Sequence, residues 1–213
     1  MSMTENLDPV HWWRTLCWVT DRIIVTGDLP DHVAAAERCL DDWVAAGVTT
    51  IVDLRGEWSD ETFVADRHPH LTYVWAPTHD NGGAQSDDWF ADTTERVLEQ
   101  LAADPDAVVL IHCHMGVNRA PSLAMAVLLE LGFTTTGALE AIRAARPIAG
   151  IIYADQAVDW FQRRIKSSDA QRHAEHHAAA RWLADHPVDV SWVVSRIHRA
   201  ELAPPTDDWC PAS

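Results

Sequence analysis

The sequence predicts an α/β fold: a central, mainly parallel sheet of four to five strands with helices on both faces, followed by a C-terminal helical extension. Two observations carry most of this. After residue 30, segments of helical period alternate with short buried strands at 50–54, 73–76 and 108–111, the order that crossover connections between parallel strands require. Past Lys166 the composition shifts to Ala, His, Arg and acid, broken by Pro187, Pro204 and Pro205, which marks an appended tail. With 213 residues, 47% hydrophobic and 23% charged, the chain can build one sizeable core without a disulfide or metal staple.

The elements follow in order. Residues 18–25 place two short β-rich stretches around Asp21 and Arg22, a small hairpin. Asp31 is read as a helix cap. From Val33, Ala36, Leu40, Trp43 and Val44 keep helical spacing, and Gly47 sits where a left-handed C-terminal cap is wanted. The strand at 73–76 is expected to end at Pro77, before a loop with the turn residues Asp80, Asn81, Gly82 and Gly83. Ser86 caps a helix that carries Trp89, Phe90, Thr93, Val97 and Leu101 on one face, and Asp87 and Asp88 suit the dipole of its first turn. A further helix is expected to begin near Pro121 and run to Gly132, followed by helices at 138–145 and 154–165. The tail predicts helices over about 170–184 and 192–200, packed against the domain, and its last ten residues read as loosely held.

Charge narrows the partners. Lys and Arg total 16 against 32 Asp and Glu, a formal charge of −16, and Lys166 is the only lysine. Nucleic acid and acidic membranes are disfavoured, because affinity for both comes largely from basic side chains. No apolar run approaches the roughly 18 residues that cross a bilayer, and the N-terminus has no leader pattern. The expectation is a cytoplasmic protein.

Cys17, Cys39, Cys113 and Cys210 lack the close spacing of a zinc knuckle or redox dithiol, and Cys17 and Cys39 read as buried reduced thiols. His173, His176 and His177 could share a helical face, but no carboxylate or cysteine completes a ligand set, so a solvated face is expected and no metal or cofactor is assigned. The eleven tryptophans are scattered, as core and interface anchors would be.

The chemistry concentrates in His112-Cys113-His114-Met115-Gly116-Val117-Asn118-Arg119, between a buried strand and a helix start. A loop joining a strand's carboxyl end to a helix N-terminus can aim successive N–H groups into one concavity, where the helix dipole adds positive potential. Such a cradle takes phosphate and favours a thiolate over a thiol. Five residues separate Cys113 from Arg119, enough for the loop to return a guanidinium fork toward a bound phosphate. Gly116 lets the backbone approach the anion.

This motif resembles that of the cysteine-dependent protein tyrosine phosphatases, in their small dual-specificity branch. The resemblance spans about residues 15–166, including the entry strand at 23–28, the strand at 50–55 and a helix at 137–147 that ends in Arg-Pro. It divides the chain into an N-terminal segment 1–14, a catalytic domain 15–166 and a helical extension 167–213. It implies a phosphatase-like fold and Cys113 as nucleophile, with Arg119 and the amides of His114, Met115, Gly116, Val117 and Asn118 binding phosphate. Asp80 becomes the general acid, although it could merely shape a turn with Asn81 and Gly82; Asp87 and Asp88 are reserves. His112 orients the loop and steadies the sulfur, or simply packs behind it. Arg55 is expected to make a surface ion pair rather than reach the pocket.

One departure stands out. The family usually has Ser or Thr directly after the arginine, and this chain has Ala120, with Ser122 two residues on. The implied partners are phosphorylated proteins or small phosphomonoesters, phosphotyrosine first; heavily phosphorylated inositides are disfavoured because no lysines flank the loop. Oligomeric state leaves no mark in the sequence. Two other readings stay open: a phosphatase-like module that only binds phosphoproteins, and a rhodanese-like sulfurtransferase, against which the five-residue interval speaks.

Overall fold

The computed structural model describes residues 12–202. After a single 3-10 turn at Trp12–Arg14, the chain enters a five-stranded sheet of order β1-β2-β5-β3-β4. Strand β1 (Cys17–Trp18) pairs antiparallel with β2 (Ile23–Thr26), Cys17 facing Val25, which is the small hairpin. The other strands, β3 (Val48–Arg55), β4 (Thr72–Thr78) and β5 (Val108–His112), pair in parallel.

Alternation along the buried strands divides the core in two. Ile24, Ile51 and Leu110 face one side, covered by α1 (Val33–Ala45) and α2 (Glu61–Arg67). Val25, Val52 and Ile111 face the other, against α3 (Asp87–Ala103), α4 (Arg119–Glu130), α5 (Thr135–Ala145) and α6 (Ala154–Arg164). Helix α4 is buried from Arg119 to Leu129, which explains why its sequence is apolar all round. Ser86 caps α3 by accepting from the Trp89 amide at 3.1 Å.

Several local expectations need correction. Pro77 does not end its strand: β4 runs on to Thr78, because at the sheet's edge proline need not supply a ladder donor. Helix α1 is capped by His32 without a side-chain bond, not by Asp31. Helix α4 starts at Arg119, before Pro121, and α2 has no counterpart in the sequence reading because its single buried residue, Val64, leaves almost no periodic signal.

The tail forms α7 (Asp169–Asp185) and α8 (Val190–Glu201), both packed on the rest of the molecule. Ala179 and Trp182 join the larger core; Val193 and Ile197 pack with Trp13 and Val117. His173 turns back onto the Asp169 carbonyl at 2.8 Å, and His176 lies 3.7 Å from Asp159. The expectation of loosely held final residues lies outside the described residues. No described helix is long and apolar enough to cross a membrane.

Ile197 is fully buried, so Ile197→Ala should weaken the docking of α8 by about 2–4 kcal/mol. Amide exchange across 190–201 should accelerate while exchange within α4 stays unchanged.

Candidate active site

The site lies where β5 gives way to α4, at the carboxyl edge of the parallel strands. The carbonyls of residues 114–118 each find a partner. His114 O accepts from the Asp28 amide at 3.1 Å, and Met115 O and Gly116 O accept from Arg146 at 2.9 and 2.6 Å. Val117 O accepts from the Gly150 amide at 2.8 Å, and Asn118 O from the Ser122 amide at 2.9 Å. In a trans peptide the N–H points opposite its carbonyl, so the amides that follow turn into the concavity around Cys113. Gly116 makes this possible: at φ +63°, a Cβ would come within 2.5 Å of both Arg146 Nη2 and Thr26 O.

Arg119, at the first position of α4, is held along one edge. Its Nη1 donates to Glu57 Oε2 at 2.9 Å and to Thr78 O at 3.0 Å. Its Nε has no hydrogen-bond partner and lies 3.8 Å from Asp80 Oδ2. Burial opposes the guanidinium's charge, but Cys113, Glu57 and Asp80 outweigh it and raise its pKa. One edge of the fork is anchored and the other is left for an oxyanion.

Asp80 sits beside this edge in the loop after β4. Tyr153 Oη donates to Asp80 Oδ1 at 2.9 Å and accepts from the Gly82 amide at 3.2 Å, fixing the loop to the start of α6. The loop is tied again by the Gln85 amide, which donates to Gln156 Oε1 at 2.7 Å, and by Gln85 with Thr78. Asp80 therefore faces Arg119, whereas Asp87 pairs with Arg163 at 2.6 Å on the surface and Asp88 is exposed.

Behind the loop lies a buried ionic network. Asp28 meets Arg14 at 2.9 Å, His114 Nδ1 at 2.7 Å and Arg55 at 3.6 Å. Arg55 also pairs with Asp53 at 2.8 Å and Asp60 at 2.6 Å, and is 0% exposed. The surface ion pair expected for Arg55 is thus a buried one. Its two carboxylate partners at i−2 and i+5 neutralise it, and it does not line the pocket. His112 is buried against Trp43, its Nε2 3.7 Å from Asp53; burial pushes its pKa below the ordinary range. Ser122 Oγ accepts from the Tyr153 amide at 3.3 Å, so its hydroxyl is engaged on the side of α6.

The structure brings Cys113, Arg119, Asp80 and the loop residues together. Sequence reasoning missed Glu57, Tyr153, Asp28 and Gln156. Glu57 and Tyr153 act across 62 and 73 residues of chain, and the available signal was weak: Tyr153 is one of two tyrosines, and both donate to an Asp carboxylate.

Comparison with known proteins bears on the fold. No family model matches the chain. PRL-1 phosphatase of Drosophila melanogaster is 34% identical over 91 residues, 43% of this chain and 47% of that protein, so the chain aligns with about half the length of this curated relative. Among solved structures, Tk-PTP in its active form superposes with a TM-score of 0.56 at 22% identity, covering 71% of this chain and 99% of that one. Human DUSP28 superposes with a TM-score of 0.57 at 17% identity, covering 70% and 98%. This is the fold of the small dual-specificity phosphatases. The human tyrosine phosphatase-like serine/threonine/tyrosine-interacting protein shares it too, with a TM-score of 0.54 at 15% identity over 72% of this chain and 97% of that one.

Two outcomes follow from this geometry. Glu57→Ala should loosen the Arg119 fork and weaken binding of inorganic phosphate or vanadate by about three- to tenfold in calorimetric titration, a modest effect because Glu57 is half exposed. Burial opposes the charge of Asp53, yet His112, Arg55 and Tyr73 hold its pKa down to about 2. Its stabilisation is therefore complete above about pH 4 and is lost as pH falls through about 2, on the order of 2 kcal/mol. Urea unfolding between pH 5 and 2 should show that loss, and a smaller one in Tyr73→Phe, where the folded-state pKa of Asp53 lies closer to its unfolded value.

Proposed function

We propose that the protein is a cysteine-dependent phosphatase that hydrolyses phosphotyrosine monoesters, with phosphoserine and phosphothreonine as secondary substrates, through a phosphocysteine intermediate. The supporting observation is the ring of outward-turned carbonyls around Cys113, closed by an Arg119 edge that Asp80 faces from 3.8 Å. The Cys113 thiolate attacks phosphorus, the bond from phosphorus to the leaving oxygen breaks, and protonated Asp80 supplies that oxygen's proton. Asp80, now a carboxylate, takes a proton from water as the water attacks phosphorus and breaks the bond to sulfur, releasing phosphate. The loop amides and Arg119 stabilise the equatorial oxygens throughout.

Tyr153 is a positioning residue in this scheme. Its hydroxyl donates to Asp80 Oδ1 and leaves Oδ2, on the Arg119 side, to carry the transferable proton. A second reading, a module that binds phosphoproteins without turning them over, draws on Ala120: the residue directly after Arg119 carries no hydroxyl, and Ser122 Oγ accepts from the Tyr153 amide.

Phosphate release from p-nitrophenyl phosphate and from a phosphotyrosine peptide separates these readings. Cys113→Ser should abolish it, and Asp80→Asn should slow the peptide reaction by about a hundredfold. Rapid quenching should trap phosphocysteine, accumulated because no hydroxyl assists the sulfur as phosphate leaves, and thiosulfate should yield no sulfur transfer. Equal, slow release by wild type and Cys113→Ser would leave the binding module standing.

A further inference from the structure

Helix α8 brings two metal-ligand side chains to the outer face of the anion loop, where a third is waiting. His198 and Glu201, three residues apart on one face of α8, meet His114 of the loop, and a donor atom from each lies within 4.8 Å of the other two. His114 Nε2 and Glu201 Oε1 are 3.4 Å apart. Tetrahedral coordination with ligand bonds of about 2.0–2.1 Å has donor edges of about 3.4 Å, so this edge needs no adjustment.

Two features distinguish the cluster from a chance meeting of surface groups. His114 Nδ1 is bonded to the buried Asp28 carboxylate at 2.7 Å, which directs the ring so that Nε2 faces α8. A carboxylate behind the second nitrogen of a ligating imidazole is the usual support of a metal-bound histidine. Glu201 Oε1 is a buried acceptor with no hydrogen-bond partner, aimed at the same point. We propose that His114, His198 and Glu201 form a binding site for a divalent transition-metal ion of the zinc type, which pins α8 to the anion loop. Two imidazoles and one carboxylate suit zinc, and a fourth position stays open for water. The ion takes no part in phosphoryl transfer; it ties the tail to the rear of the loop that carries Cys113.

The test uses the full chain carrying Cys113→Ser, so that the loop thiol cannot serve as a ligand, with zinc titrated at neutral pH against a chromogenic chelator. One site should saturate, weakened at least tenfold by His198→Ala, at an exposed position of α8, or by Glu201→Ala, at a half-buried one. Zinc should slow amide exchange across 190–201 in the parent and not in these variants. Replacing His173, His176 and His177 together by Ala should change nothing. Unaltered affinity in both α8 variants, loss of binding in the triple-histidine variant, or binding that leaves α8 exchange untouched would each overturn the site.

Discussion

Arg146 is buried among the carbonyls of Trp13, Met115 and Gly116, and its bonds to them, 2.6 to 2.9 Å long, hold the loop's peptide groups turned away from Cys113. A buried guanidinium is costly unless its donors are matched, and here the matching acceptors are the very carbonyls whose reversal would close the concavity. The loop and the arginine therefore specify each other. Asp28 works in the same way from the other side, since its amide holds His114 O while its carboxylate gathers Arg14, Arg55 and His114. Gly116 is required because that clasp leaves no room for a side chain, so packing behind the loop, rather than the anion in front, dictates the glycine.

A chain of net charge −16 is at first sight a poor host for a phosphate dianion. The conflict dissolves with distance. Charges beyond about 8–10 Å are largely screened at physiological salt, whereas an anion in the proposed site would lie against the loop amides, the start of α4 and Arg119. Asp80 and Glu57 are the acids set against Arg119: Asp80 lies 3.8 Å from its Nε, and Glu57 pairs with Nη1 on the other edge at 2.9 Å. On the proposed reading, an acidic surface and a local anion cradle are therefore compatible.

What was legible in the sequence was local. The loop from Cys113 to Arg119 could be read because strand end, glycine, arginine and helix start follow one another in the chain, whereas Asp80 was singled out through the family resemblance, its turn residues showing only that it lies in a loop. Arg55 was misjudged because its nearby acids Asp53 and Asp60 are as compatible with an exposed pair as with a buried one, and only the assembled sheet buries Arg55 and brings Asp28 to it. Pro77 was misjudged because the rule that proline ends a strand holds for interior strands, and β4 is an edge. The role of the tail was hidden for the same reason: α8 meets Trp13 and Val117 only after the sheet has brought the two ends of the chain to the loop.

Tyr153 joins the two halves of the site. Its amide donates to Ser122 in the first turns of α4, the helix that presents Arg119, and its hydroxyl holds Asp80 and the Gly82 amide. Asp80 is thereby referenced to the same helix that carries the phosphate-binding arginine, although the two lie on different loops. Acid–base transfer requires placement within hydrogen-bond reach of the leaving oxygen, and a single rigid ring bonded at both ends supplies that reach better than the glycine-rich loop could alone. Ser122 takes part in this link as an acceptor, its Oγ 3.3 Å from the Tyr153 amide.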